Sequence, residues 1–170
     1  MTKILVTGGS GFIGSHTCLY LIKKGFTVYI LDSFVNSYST VINRINKICC
    51  IDNLKKNNLL KVIVGDIRNR ELLDNIFLNS INSGEPISGV IHFAGLKSVD
   101  ESFENPLQYW DVNVNGTVNL LKVMQKYGTH TIVFSSSATI YGNPSREFIN
   151  ENDDIKPVNP YGSTKAVVEK

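Results

Sequence analysis

The sequence predicts an α/β fold built on a doubly wound parallel sheet, and three features predict it. Short apolar, β-branched runs recur along the chain with helical stretches between them, the pattern of βαβ units. A glycine triplet follows the first run, and an acid closes the second. Size agrees with both, because 170 residues that are 42% hydrophobic and 19% charged suit one ordinary soluble domain. At that length roughly 70% of the unfolded surface can be buried, so no disulfide or metal staple is needed.

KILVT at 3–7 reads as the first strand. A helix over 11–24 should follow, with Gly14, Cys18, Leu21 and Ile22 on one face and Gly25 ending it. TVYIL at 27–31, KVIV at 61–64, VIHFA at 90–94 and TIVFS at 131–135 are the next four strands. Each is short and uninterrupted, as strands buried on both faces are. Between the second and third, Val41, Ile42, Ile45 and Ile48 suggest a helix, and 52–58 a polar loop in which Lys55 and Lys56 form a solvated turn. Tyr109, Asn113, Gly116, Thr117, Leu120 and Met124 recur at three and four with Gly128 beyond them, so one helix should cross the sheet face there. Pro144, Pro157 and Pro160 mark a long loop after the fifth strand, with Glu151, Asp153 and Asp154 read as surface acids. The chain shows no internal repeat and no dividing linker.

Several function classes are excluded. Seventeen basic and fifteen acidic residues leave a net charge of +2, scattered rather than striped, so no nucleic-acid partner is expected. MTK runs directly into a short apolar stretch and glycines, and no run of ~18 apolar residues exists, so neither a secretory signal nor a membrane partner is expected. Cys18, Cys49 and Cys50 form no CxxC pair, which fits a reducing cytoplasm. His16, His92 and His130 lie far apart and lack zinc spacing, so no metal site is expected and they read as packing or surface residues.

TGGSGFIGSH at 7–16 places Gly8, Gly11 and Gly14 between the first strand and the first helix. Each glycine has a steric reason: a tight turn, close approach of backbone to a pyrophosphate, then tight helix-to-strand packing. Backbone N–H groups and the helix dipole would hold the phosphates. This is a Rossmann-type turn, strengthened by Asp32 at the end of the second strand. A carboxylate there accepts from ribose hydroxyls and repels a 2′-phosphate, so NAD is favoured over NADP, and no Arg or Lys between Ser33 and Val41 argues otherwise.

Tyr161 and Lys165 are four apart in YGSTK, which should be helical after Pro160, and so share a face. A tyrosine ordinarily titrates near ~10, so a neighbouring cation is needed if it is to act as a base near neutrality. Lys165 is placed to supply that charge, and its ammonium could also reach the nicotinamide ribose. Ser135, Ser136 and Ser137 end the fifth strand at the sheet edge where open α/β sheets bind ligands.

Together TGGSGFIG, Asp32, GDI at 65–67, HFAGLKSV at 92–99, FSSSATIYG at 134–142 and PYGSTK at 160–165 resemble the extended short-chain dehydrogenases, and within them the UDP-glucose 4-epimerases. The resemblance runs from Ile4 to the last residue. It implies that Tyr161 is the base, Lys165 its helper and Ser137 a hydroxyl on the substrate. It implies an NAD site lined by Gly11, Phe12, Ile13, Asp32, Ser33, Phe34, Asn36, Ser37, Asp66, Ile67, Phe93, Ala94, Gly95 and Lys97, with Gly8, Gly14, Asn113, Ser135, Tyr161 and Lys165 completing it. Asp66 would sit near the adenine, and Lys97, Ser137, Ala138, Thr139 and Tyr161 would face a UDP-sugar. His16 matches the same family's GSH string.

The implied reaction removes the proton of the sugar 4-hydroxyl at Tyr161 as hydride passes to NAD. The 4-keto sugar turns over and takes the hydride back on its other face, interconverting UDP-glucose and UDP-galactose. Nucleotide-sugar 4,6-dehydratases carry an Asp-Glu pair after the strand-end Ser or Thr. Ala138 and Thr139 stand there instead, so epimerisation is expected. The chain ends five residues past Lys165. Residues 1–170 are therefore expected to be a dinucleotide-binding domain incomplete at its C-terminal end, a fragment without the lobe that grips UDP-sugar. Two other readings stand beside this one: an inactive NAD-binding fragment, or an epimerase of another UDP-sugar. The resemblance also implies a homodimer at full length, paired partly through the 108–126 segment.

Overall fold

Five parallel strands form one sheet in the order β3-β2-β1-β4-β5. The computed structural model describes residues 2–51, 59–144 and 148–170. Its strands are β1 (Lys3–Thr7), β2 (Thr27–Asp32), β3 (Leu60–Val64), β4 (Ile87–His92) and β5 (Ile132–Phe134). The chain steps outward from β1 to β3, returns to the other side of β1, and steps outward again to β5. A crevice therefore opens between the C-terminal ends of β1 and β4, the switch point where open α/β sheets bind ligands.

Alternation along the strands feeds two cores. Leu5, Leu31 and Val90 point to the face covered by α3 (Arg70–Asn82) and α6 (Gly116–Lys126), where they meet Leu73, Phe77, Leu120 and Val123. Val6, Val28 and Ile30 point to the face covered by α1 (Phe12–Lys23) and α2 (Thr40–Ile51), where they meet Cys18, Ile22, Ile45 and Cys49. The central strands are shielded on both faces, as expected. The edge strands are not, because Val64 is 70% and Val133 58% exposed. An apolar run signals a strand but carries no information on its place in the sheet.

Helix boundaries follow local chemistry. Gly25 ends α1 with φ +83°, a conformation open to glycine. Helix α3 went unmarked in the sequence reading, although Asn69 caps it by accepting from Leu72 N at 3.0 Å and Leu73, Ile76, Phe77 and Ser80 bury one stripe. The single helix expected from Tyr109 to Met124 is three pieces: α5 (Pro106–Tyr109), a π-helical turn (Trp110–Asn115) and α6. A short helix α4 (Val99–Glu104) precedes them. The strand bounds also differ from the expected 90–94 and 131–135, because β4 starts at Ile87 and β5 spans three residues. Helix α7 (Pro160–Glu169) begins as the proline predicts, with Asn159 Oδ1 accepting from Gly162 N at 2.7 Å. The polar loop at 52–58, with Lys55 and Lys56, lies outside the described residues.

Candidate active site

The glycine loop is shaped by backbone proximity. Gly8 has φ +67°, and a Cβ there would lie 2.6 Å from Ala94 N, so β1 and the loop after β4 touch through this position. A Cβ on Gly14 would strike the Gly8 carbonyl, which is why α1 can start directly against the turn. Gly11 is the N-cap of α1 and supplies no side-chain hydrogen bond, and no acid stands in the first turn. The first-turn N–H groups therefore remain available to an anion. Phe12, 78% exposed, and Ile13 flank them at the surface. A pyrophosphate fits this cradle.

Asp32, 6% exposed, does more than wait for a ribose. Its oxygens accept from Ser10 N at 2.8 Å, Phe34 N at 2.9 Å and Ser37 Oγ at 2.9 Å. A carboxylate offers roughly four acceptor positions, so about one is left where two ribose hydroxyls were expected, unless Ser37 yields its own. The carboxylate also pins the β2–α2 loop, in which Phe34 takes the left-handed φ of +58°. Asp32, Ser33, Asn36, Asp66, Ile67 and Gly95 line one cavity, together with Arg68 and Val112. Asn36 Nδ2 donates to Gly95 O at 3.3 Å, tying the loops after β2 and β4 across it.

At the other end of the crevice, Lys165 is buried and its ammonium donates to Ser135 O at 2.9 Å. It stands 4.7 Å from the Phe134 ring centre and 5.9 Å from that of Tyr161. Burial pulls the ammonium down to about 8. Tyr161 is half-buried and packs edge-on against Tyr109 at 6.4 Å. Helix α7 reaches the strand-end serines because Gly162 has no side chain, a Cβ there lying 2.7 Å from Thr139 O. Ser137 caps the 3₁₀ turn Ala138–Tyr141 and accepts from Thr139 N at 3.2 Å and Thr139 Oγ1 at 2.9 Å. With both acceptor positions used, the Ser137 proton is left to donate. Lys97 and Ala138 are exposed, and Phe93 and Ala94 are half-buried beside the glycine turn.

Two residues do more than the sequence reading gave them. Asn113, on the π-helical turn, accepts from Leu96 N at 2.8 Å and donates to Leu96 O and Thr164 Oγ1, both at 3.0 Å. Its amide thus straps the Gly95–Leu96 loop to the helix carrying Lys165. His92, set aside as a packing histidine, links Thr7 Oγ1 at 2.6 Å to Thr117 Oγ1 at 2.9 Å. Thr117 spends its proton on Asn113 O and Thr7 accepts from Ala94 N, so the network assigns the proton of His92 to Nε2. Burial, and then the charge of Lys165, push His92 down to about 3, so it is neutral. Spacing in the sequence gave no hint of either network.

The remaining readings fall at the surface. Glu151 is exposed, and Asp154 pairs with Lys156 at 2.7 Å. His16 is exposed and packs edge-on against Phe12, 5.1 Å between ring centres, and His130 is exposed. Among the described residues no group of three His, Cys, Asp or Glu side chains could hold a metal ion, and no helix is long and apolar enough to cross a membrane.

A family model described as GDP-mannose 4,6 dehydratase matches residues 5–170. The chain belongs to this family. Within the GDP-mannose 4,6 dehydratase family it is similar to epimerases. A bifunctional UDP-glucose 4-epimerase and UDP-xylose 4-epimerase from Pisum sativum is 45% identical over 168 residues, 99% of this chain and 46% of that protein. A UDP-glucose 4-epimerase from Bacillus subtilis is 43% identical over 98% of this chain and 46% of its own length. The crystal structure of the Stenotrophomonas maltophila UDP-glucose-4-epimerase, with bound NAD and formylated UDP-arabinopyranose, superposes with a TM-score of 0.87 at 41% identity, covering 99% of this chain and 47% of that one. The Bifidobacterium longum enzyme, in complex with NAD+ and UDP, gives 0.86 at 40%, with the same coverage of each chain. The motif resemblance to UDP-glucose 4-epimerases and the Rossmann-type fold are thus borne out, and the chain spans about half the length of the relatives it matches.

Proposed function

We propose that residues 1–170 form the dinucleotide-binding region of an NAD-dependent 4-epimerase of UDP-sugars, with UDP-glucose and UDP-galactose as its substrate pair. The observation that carries this is the docking of α7 on the Ser137–Thr139 turn. Gly162 lets the helix that carries Tyr161 and Lys165 close on Thr139, two residues past Ser137, and no carboxylate stands at positions 138 and 139, which supports an epimerase pairing of Tyr161 with Ser137.

Three side chains divide the work. Tyr161 takes the proton of the sugar 4-hydroxyl. The Lys165 ammonium balances the phenolate from beside the ring, steadied by the Ser135 carbonyl. Ser137 donates its free proton to the sugar oxygen. Bound NAD would supply the acceptor and donor of hydride at carbon 4. The uncapped first turn of α1 would hold its pyrophosphate, and Asp32 with its partly filled carboxylate a ribose. Elimination of water across carbons 5 and 6, the dehydratase reaction, needs an acid and base that Ala138 and Thr139 do not provide.

Exposed Leu107, Trp110, Val118 and Leu121 lie along the 107–121 stretch and support a homodimer formed partly through the 108–126 segment. Cys18, Cys49 and Cys50, with no CxxC spacing among them, support a reducing cytoplasm. The test is interconversion of UDP-glucose and UDP-galactose by the full-length protein, with Tyr161→Phe lowering the rate at least ~100-fold. Release of a dehydrated 6-deoxy-4-keto product, or full activity of the Phe variant, overturns the reading.

A further inference from the structure

Among the described residues no carboxylate pairs with the buried Lys165 ammonium. Two consecutive residues at the end of β5 hold it instead. Ser135 O accepts from it at 2.9 Å, and the Phe134 ring lies under Nζ, 4.7 Å from the ring centre. The acids on neighbouring elements are engaged elsewhere or lie at the surface. Glu101 of α4 accepts from the Tyr109 hydroxyl at 3.0 Å, Asp111 of the π-helical turn accepts from Arg68 at 2.8 Å, and Asp100 and Glu104 are exposed. The other titratable side chains around the ammonium are Tyr161 on α7, His92 on β4, Tyr109 on α5 and Tyr141 in the 3₁₀ turn, none of them a carboxylate. Strand pairing sets the ring in place, because Phe134 is the register partner of His92 in the β4–β5 ladder and the two rings pack 5.6 Å apart.

We propose that Phe134 is a positioning residue for the Lys165 cation: its ring face holds the buried ammonium in its charged form without neutralising it, so that the full charge acts on Tyr161. The proposal rests on the roles given above to Tyr161 and Lys165. An ammonium is costly to bury, and burial pulls Lys165 down to about 8. A carboxylate beside it would offset that cost, yet the pair would be neutral and a phenolate would feel little of the cation. An aromatic face attracts the charge through its quadrupole and leaves it uncancelled. The Phe134 ring centre is the nearer of the two that Nζ meets, at 4.7 Å against 5.9 Å for Tyr161. Ser135 O takes one of the three N–H donors, which leaves two for the phenol and a ribose. The neutrality of His92 belongs to the same arrangement, since a charged imidazole against that ring would compete for it and repel the ammonium.

An NMR titration of Lys165 in the full-length protein, with isotope-labelled lysine and the signal assigned from Lys165→Met, tests this beside the pH–rate profile. Phe134→Leu keeps an apolar side chain but removes the ring, and should lower the Lys165 midpoint by about one pH unit, the scale of a partly desolvated cation–π contact. The alkaline limb of kcat/KM should move down with it. Replacing Phe134 by a singly and then a triply fluorinated phenylalanine changes its size little but draws charge from the ring face. The midpoint should then fall in steps, which a merely structural role for the ring would not produce. A midpoint that is unchanged or raised across the fluorinated series overturns the proposal, whether or not Phe134→Leu folds. So does a midpoint that falls while the alkaline limb of an active enzyme stays in place. Midpoints that fall in a protein unable to interconvert UDP-glucose and UDP-galactose overturn the epimerase reading and leave the hold of the ring on the ammonium standing.

Discussion

Acidification should destabilise this fold through His92 before it reaches the carboxylates. His92 is neutral and buried, pushed down to about 3 from an ordinary value of 6.5. An unfolded chain takes up that proton below about pH 6.5, while the folded chain refuses it until about pH 3. In that window the unfolded state binds more protons, so stability falls as pH falls, and above the window it is indifferent to this group. Each pH unit inside it costs up to about 1.4 kcal/mol, so lowering pH from about 6.5 to about 4.5 should cost about 2.5 kcal/mol. That is a large share of a typical total of roughly 5–15 kcal/mol. Asp66 and Asp111, held low by Arg68, lose their contribution as pH falls through the carboxylate range, mostly below about 4.5, so the upper window isolates the histidine. Urea titrations at a series of pH values should show this slope for the wild type and a much flatter one for His92→Gln, whose amide can still donate to Thr117. Equal slopes in the two proteins, or an NMR titration placing His92 near 6, would refute the reasoning.

Three further outcomes are expected. Because burial draws Lys165 down to about 8, kcat/KM of the full-length enzyme should fall as pH rises past that value and the ammonium is lost. Lys165→Met should abolish this alkaline limb and lower the rate about 100-fold, read from a pH–rate profile. Gly8→Ala should cost about 1–3 kcal/mol by thermal melting and weaken NAD in calorimetry, since φ is +67° and the added carbon meets Ala94 N. Asn113→Leu strands Leu96 N–H and C=O without partners, and urea denaturation should show a loss of about 2–4 kcal/mol.

The central strands were legible because Leu5, Val6, Val28 and Ile30 form apolar runs that only a two-faced sheet buries. The glycine turn, Asp32 and the Tyr161–Lys165 pair were legible because each depends on a short spacing along the chain. What escaped depends on contacts between distant segments. Thr7, His92 and Thr117 are joined across 85 and 25 positions. Asn113 meets Thr164 across 51, and no local pattern announces either pair. The π-helical turn was hidden for another reason: a hydrogen bond that skips one more residue leaves the three-and-four apolar rhythm nearly intact. The exposure of Val64 and Val133 was hidden because strand order is a property of the whole sheet.

That wide turn between Trp110 and Asn115 also absorbs a residue. Because its hydrogen bonds skip one more position, the helix on either side keeps its facing while the turn between them takes up the surplus. Side-chain replacement in this stretch should be graded in its effects. Loss of a single codon should be tolerated better here than in a regular helix, because the coil can close to ordinary α geometry and leave Thr117 and Leu120 facing as before. What such a deletion puts at risk is the strap that Asn113 makes from within the turn to the Leu96 loop and the helix carrying Tyr161, not the phase of the coil beyond it.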